Sequence, residues 1–121
     1  MEPWTDHELR EIDGADEMQI AGRREDDTLH DFVVIWQVRV GDEIFVRSVN
    51  GPDAAWYRGA RKRDLGRVKA GSVTKDVAFT RDDTHDDEVD SAYTRRYGAS
   101  DAVNSIISPL AKSTTLRVDP A

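Results

Sequence analysis

An arginine, a serine and an asparagine stand just before a glycine and a predicted helix in the middle of the chain. In the run Arg47-Ser48-Val49-Asn50-Gly51, the guanidinium offers a planar fork of donors and the serine a hydroxyl. The helix N-terminus that follows would add free N–H groups and positive potential, and Gly51 permits close backbone approach. This pattern predicts a site for a phosphate or a carboxylate. The alternative is an ordinary turn and helix cap with a surface arginine.

Three aromatic residues near this run are candidates for the walls of a ring-binding pocket. Trp36 belongs to a preceding predicted strand, and Trp56 and Tyr57 belong to the helix that follows. Aromatic faces of this kind stack on flat ligand rings. Because neighbouring residues on a helix point in different directions, we expect either Trp56 or Tyr57 to face the core. The alternative is that the three rings belong to the core or to a dimer interface.

The segment 47–69 is basic, although the whole chain is acidic. It carries seven basic residues against two acidic ones, in a chain with a net charge of −7. Arg58 and its neighbours Arg61, Lys62 and Arg63 are interpreted either as contacts for an acidic ligand group or as a solvated helix face. The overall negative charge disfavours nucleic-acid binding, which requires a basic footprint.

Other motifs for catalysis or metal binding are missing or weak. The chain contains no cysteine, which excludes disulfides, thiolate zinc sites and cysteine nucleophiles. It contains no Gly-x-Gly-x-x-Gly, no Gly-Lys-Ser/Thr and no Gly-x-Ser-x-Gly motif. His85 stands among acidic residues between Asp82 and Asp90, but the segment lacks the alternating oxygen ligands and central glycine of a calcium loop. We therefore expect no metal, and no catalytic residue is identified.

Strands joined by short turns and interrupted by helices would position these residues. The length fits one domain, predicted over 1–121, and Thr5, Asp53 and Thr84 are predicted helix caps. Tight hairpins favour antiparallel pairing, and a helix between the hairpins argues against a pure β barrel. The sequence predicts an α+β, partly open barrel with a mainly antiparallel six-stranded sheet and interspersed short helices. The predicted helices cover 6–13, 54–63, 85–97 and 101–108, and the predicted strands cover 17–24, 32–40, 43–49, 66–70, 73–80 and 114–118.

The first residues and the apolar runs indicate neither export nor membrane insertion. The start Met-Glu-Pro-Trp-Thr-Asp lacks the basic and apolar parts of a signal peptide. No apolar run approaches the roughly 20 residues of a membrane span. We expect a cytoplasmic protein without a membrane partner.

The segment Ile35–Ser48, together with Gly51 and Trp56–Ala60, resembles a family of small bacterial proteins of unknown function. Tyr93–Gly98 and Ser108-Pro109 fit the C-terminal part of that family. The family is similar to the FMN-binding split barrels, which are typified by pyridoxamine-phosphate oxidase and by the deazaflavin-dependent nitroreductases. The resemblance implies a split β-barrel that forms a homodimer, with a cofactor in a groove at the subunit interface.

The resemblance also implies roles for individual residues. Arg47 and Ser48 would hold the phosphate of the cofactor, Asn50 and Gly51 would complete the cradle, and a tryptophan would shape the ring pocket. Arg58 stands near the place where the deazaflavin branch has an asparagine. The predicted cofactor-binding residues are therefore Trp36, Arg47, Ser48, Asn50, Gly51, Trp56, Tyr57 and Arg58.

Two functions remain open at this point. The first is binding of FMN or a deazaflavin, with oxidoreductase activity on a small molecule, because the cofactor itself would carry the hydride chemistry. The alternative is a cofactor-free homodimer of the same fold that binds a small anion such as a carboxylate or has a structural role.

Overall fold

A curved antiparallel sheet forms the body of the protein. A computed structural model describes residues 3–121, and over this range the chain is an α+β fold with five helices and seven strands. The helices are α1 (Asp6–Gly14), α2 (Ala55–Arg61), α3 (Asp86–Tyr97), α4 (Asp101–Ile106) and α5 (Pro109–Lys112). The strands are β1 (Met18–Gly22), β2 (Val33–Ile35), β3 (Gln37–Val40), β4 (Glu43–Val46), β5 (Leu65–Ala70), β6 (Val73–Arg81) and β7 (Leu116–Pro120).

The sheet curls until its two edges nearly meet. The strand order is β2-β1-β5-β6-β7-β4-β3, and every neighbouring pair is antiparallel. Only Trp36 separates β2 from β3 in the chain, yet these strands lie at opposite ends of that order. The sheet is therefore a nearly closed barrel, which confirms the predicted α+β, antiparallel barrel class.

The predicted count of six strands is wrong, because the predicted strand 32–40 is two strands. Its first part pairs with β1 and its second part pairs with β4. At Trp36 the chain changes partners without changing its general direction. Residue type alone does not show such a change, because both parts are equally rich in β-branched and aromatic residues.

Strand β4 separates two apolar clusters. Its residues Ile44 and Val46 point into the barrel cluster, which α1 and α2 help to cover. Phe45 points the other way, into a second cluster that includes Val89 and Tyr93 of α3. Because side chains alternate along a strand, the residue after β4, Arg47, continues on the Phe45 side and lies beneath α3.

One of the three predicted helix caps is present in the structure. The capping box at α1 is confirmed, since Glu8 N donates to Thr5 Oγ1 and Thr5 N donates to Glu8 Oε1. The predicted caps Asp53 and Thr84 are wrong. Asp53 lies in a turn before α2, and the hydroxyl of Thr84 donates to Asp82 instead of capping α3.

Candidate ligand pocket and its ion cluster

A cavity opens beside Trp36, between β2, the turn after β4, α2 and α4. Its volume of about 380 Å³ lies in the range of small-molecule sites. We call it the tryptophan pocket, because both Trp36 and Trp56 line it. The full lining consists of Val33, Val34, Ile35, Trp36, Arg47, Val49, Asn50, Trp56, Ala102, Ser105 and Ile106. The structure thus brings together four of the eight predicted site residues: Trp36, Arg47, Asn50 and Trp56.

Helix α3 holds the Trp36 wall of the pocket in place. The indole of Trp36 stacks on the Tyr97 ring, with centroids 4.2 Å apart and an interplanar angle of 6°. The hydroxyl of Tyr93 donates to Trp36 O at 2.8 Å, and that of Tyr97 donates to Gln37 O at 2.9 Å. Burial raises the pKa of both tyrosines, so their hydroxyls remain protonated donors at neutral pH. These bonds satisfy the carbonyl groups at the strand break.

Trp56 and Tyr57 divide their roles as expected for neighbours on a helix. Trp56 is half-buried and lines the pocket, whereas Tyr57 is buried in the barrel cluster. The two rings meet edge to face, with centroids 5.8 Å apart. Tyr57 therefore supports the Trp56 wall from the core and does not line the cavity.

The turn after β4 places Asn50 at the rim of the pocket. Gly51 has a φ of +83°, a left-handed conformation that favours glycine, and its N–H donates to Ser48 O at 3.0 Å. The Ser48 hydroxyl donates to Gly51 O at 2.7 Å, so the turn itself uses this hydroxyl. The Asn50 side chain is exposed, and no residue within 3–121 is hydrogen-bonded to its amide. Asn50 is thus the residue of this turn whose polar side chain remains open to a ligand.

Arg47 is the buried centre of an ion cluster, which we define as Arg47, Asp86, Asp90, Lys112 and Thr115. The Arg47 side chain has no exposed surface. Its Nε donates to Thr115 Oγ1 at 2.9 Å. One terminal nitrogen, Nη1, donates to Asp90 Oδ1 at 2.5 Å, and the other, Nη2, donates to Asp86 Oδ1 at 3.2 Å.

Two backbone carbonyls complete the acceptor set of Arg47. Nη1 also donates to Ile106 O at 3.3 Å, and Nη2 also donates to Asp86 O at 3.3 Å. A guanidinium has five N–H groups, and five acceptors therefore match them. Lys112 Nζ lies 2.8 Å from Asp90 Oδ2, so two cations face two carboxylates in the Arg47 ion cluster. The predicted phosphate donors Arg47 and Ser48 are thus both engaged within the protein.

The remaining basic residues of the segment 47–69 lie away from the pocket. Arg58 is exposed on α2 and does not contribute to the lining of the pocket. Arg63 pairs with Asp27 at 2.6 Å, and Arg67 pairs with Asp76 at 2.7 Å. Acidic residues from other parts of the chain therefore neutralise part of this basic segment.

Comparison with known protein families identifies the group to which the chain belongs. Residues 8–118 match the family described as "Uncharacterized protein conserved in bacteria (DUF2255)". The chain belongs to this family. No curated protein matches it. The resemblance to a bacterial family of unknown function is thereby confirmed, and no activity comes with it.

A solved structure supports the fold of this DUF2255 family member. The crystal structure of conserved hypothetical protein Rv2991 from Mycobacterium tuberculosis matches with a TM-score of 0.61. The match covers 98% of this chain and 80% of that chain, at 12% sequence identity. At this identity the likeness concerns the fold alone. None of the helices within residues 3–121 is long and apolar enough to cross a membrane.

A second group of polar residues joins Asp82 and His85, which were considered for a metal from the sequence, to Glu43, which was not. Glu43, Asp82 and His85 each offer a ligand atom, and these atoms lie within 4.8 Å of one another. Arg117 Nη1 already lies 3.1 Å from Asp82 Oδ2, and hydrogen bonds from Thr84 lower the pKa of Asp82 most strongly. Glu43 lies about 40 residues before the other two, so no local spacing indicates the group.

A larger, more polar cleft lies beside the C-terminal half of α3. Its volume is about 600 Å³, and Arg39, Arg95 and Arg96 line it together with Asp13. Arg96 donates to the carbonyl groups of Asp13 and Ala15 at the end of α1, and Arg39 donates to Gly41 O at 2.7 Å. Two of these arginines therefore serve to hold backbone carbonyls.

Proposed function

We propose that this protein binds a small ligand with a flat aromatic ring in the tryptophan pocket, and that a flavin-type ring is the first candidate. The observation that carries the proposal is the cavity of about 380 Å³ between Trp36 and Trp56, with the open Asn50 amide at its rim. Indole faces stack on flat rings, and an amide offers both a donor and an acceptor to a polar ring edge.

The ring and the phosphate of a flavin cofactor fit this site differently. The aromatic and aliphatic lining suits the ring. The phosphate would need free donors, but those of Arg47 and the Ser48 hydroxyl are bonded within the protein. FMN and phosphorylated deazaflavins therefore do not fit the residues present as completely as the ring alone does. A bound flavin ring would supply hydride chemistry, and oxidoreductase activity stays a prediction.

The cofactor-free alternative, binding of a small anion, fits this pocket poorly. Among residues 3–121, Arg47 is the one charged residue in the pocket lining, and its donors are engaged. A carboxylate ligand would therefore find no free cation there. The lining favours an uncharged ring over a small anion.

Titration of the full chain with riboflavin tests this proposal. We expect saturable quenching of the tryptophan fluorescence. Trp56→Ala should weaken binding by about fivefold or more, because loss of a stacking face removes roughly 1–3 kcal/mol. Tyr57→Phe, the matched change of the neighbouring aromatic residue, should leave the affinity unchanged. Folded protein that shows no saturable binding would exclude the ring-binding function.

We also propose that the protein is a homodimer formed through the surface around the pocket mouth. Val34, Val49 and Leu110 are the exposed large hydrophobic residues within 3–121. Val34 and Val49 line the pocket, and the Leu110 side chain packs against the Cα side of Gly51. Val34 also belongs to the edge strand β2, whose free backbone groups invite pairing.

Light scattering tests the oligomeric state directly. We expect twice the 13.6 kDa chain mass for the wild type and a shift towards the single-chain mass for Val34→Lys. A wild type that stays at 13.6 kDa over the accessible concentrations would exclude the dimer. A cytoplasmic location and the absence of nucleic-acid and membrane partners stay predictions.

A further inference from the structure

We infer that the tryptophan pocket selects the uncharged, unphosphorylated form of its ring ligand, an inference that rests on the proposed function. A phosphate group needs at least one free cation or a set of free donors near its binding place. Arg47 is the cation at the pocket wall, and its N–H groups are already hydrogen-bonded within the protein. The selection would thus come from a neighbouring structural cluster and not from the ring-binding walls themselves.

Arg47 has no N–H group left for a ligand. Its five N–H groups match five acceptors at 2.5–3.3 Å, and its side chain has no exposed surface. Two of these acceptors are the carboxylates of Asp86 and Asp90, and charge-assisted bonds of this kind are the strongest that a guanidinium makes. A ligand phosphate would have to displace one of them.

Displacement of a carboxylate from Arg47 would leave a charge without its partner. The side chains of Asp86 and Asp90 are only 18% and 24% exposed. Lys112 reaches Asp90 but makes no ion pair with Asp86 in the described part of the chain. Leaving a largely buried carboxylate unpaired is strongly destabilising. The Arg47 ion cluster therefore resists opening towards the pocket.

The other polar groups at the pocket are uncharged. The Ser105 hydroxyl donates to Asp101 O at 3.0 Å, so the helix already uses it. The Asn50 amide is open, and it suits a ring edge with neutral donors and acceptors. A phosphate would enter a site without free positive charge on a protein of net charge −7, where desolvating it is costly.

Parallel titrations with riboflavin and FMN distinguish binding of the ring from selection against the phosphate. These probes differ by the phosphate alone. We expect FMN to bind at least about fivefold more weakly than riboflavin at the same ionic strength. FMN binding as tightly as riboflavin, or more tightly, would overturn the inference and leave the ring-binding function in place. Absence of binding by both probes would overturn the proposed function and the inference together.

A pair of lysine variants adds the missing cation and its control. Ala102→Lys places an ammonium group on an exposed position of α4 that lines the pocket. Ala99→Lys adds the same charge just before α4, at an exposed position outside the lining. We expect Ala102→Lys to raise the affinity for FMN relative to riboflavin at least about fivefold, and Ala99→Lys to leave the ratio unchanged. An unchanged ratio in both variants would contradict the inference.

Discussion

The tryptophan pocket and the Arg47 ion cluster lie side by side and share Arg47. Ile106, which also lines the pocket, accepts a hydrogen bond from Arg47 through its backbone carbonyl. The pocket is apolar and aromatic, and the amide at its rim has no partner within residues 3–121. In the cluster, by contrast, every charged group faces an opposite charge. Polar side chains that could all bind a ligand therefore have different roles. The difference depends on whether their hydrogen-bonding groups are already bonded within the protein.

The largest expected effect concerns the stability role of Arg47. Arg47→Met should lower the free energy of unfolding by about 3–5 kcal/mol, because Asp86 and Asp90 lose their common partner. Urea denaturation measures this change. The same substitution at the exposed Arg58 should cost no more than about 0.5 kcal/mol. A loss below about 1 kcal/mol for Arg47→Met would remove the distinction between the two regions.

A second prediction tests the ion pair between Arg47 and Asp86. Asp86→Asn should cost about 1.5–3 kcal/mol in urea denaturation, because it removes a charged acceptor of Arg47. Asp87→Asn is the matched control: both residues lie in the first turn of α3, so the loss at the helix dipole is similar. Equal losses in the two variants would mean that the ion pair contributes nothing beyond the helix dipole.

A third prediction concerns the pocket rim, where the effect should appear in binding and not in stability. Asn50→Ala should weaken riboflavin binding by about two- to twelvefold, which corresponds to one hydrogen bond of roughly 0.5–1.5 kcal/mol. The free energy of unfolding should change by about 0.5 kcal/mol or less. Asn104→Ala, at an exposed position of α4 outside the lining, should change neither quantity. A stability loss without a binding loss would reverse the assignment of Asn50.

The smallest expected effect comes from an ion pair far from both regions. The Lys75 ammonium donates a 2.7 Å hydrogen bond to Glu8 and, as the main cause, lowers the pKa of the Glu8 carboxyl from its ordinary value. This contribution to stability exists above the unfolded-state pKa and is lost as the pH falls through the folded-state pKa.

Glu8→Gln tests this pair, because glutamine can still complete the capping box. It should cost about 0.5 kcal/mol at pH 7, and the difference from the wild type should shrink as the pH falls below the ordinary pKa of a glutamate carboxyl. The comparison pair is Glu17→Gln, at an exposed residue without an ion pair in the described chain, which should have no measurable effect at pH 7. A loss that grows on acidification would contradict the sign of the pKa change.

Much of the fold was predictable from local patterns. The turn at Gly41 and the hairpin between β5 and β6 followed from alternating residues around short turns, and α1 followed from its capping box. The break at Trp36 was not predictable, because it depends on which distant strand each half pairs with. Helix α5 was also missed: the sequence predicts a helix over 101–108 and none after it, but Pro109 is the first residue of another helix.

The candidate site was predictable in part for a similar reason. Aromatic character and position near a turn indicated Trp36, Asn50 and Trp56, and all three line the pocket. The carboxylate partners of Arg47 lie 39 and 43 residues away, so no local spacing reveals them. One signal was present: strand alternation places Arg47 on the Phe45 side, beneath a helix that begins with acidic residues.

Whether a ring ligand binds in the tryptophan pocket is tested most directly by a riboflavin titration of the full chain. The titration is followed by the NMR signals of side-chain N–H groups. The indole signals of Trp36 and Trp56 should shift on saturation. The indole of Trp4, which donates to Val118 O at 2.9 Å and lies outside the pocket lining, should not shift, and neither should the Nε–H signal of Arg47. Shifts of the Arg47 signal with unmoved Trp36 and Trp56 signals would contradict the account, because the ligand would then bind through the ion cluster.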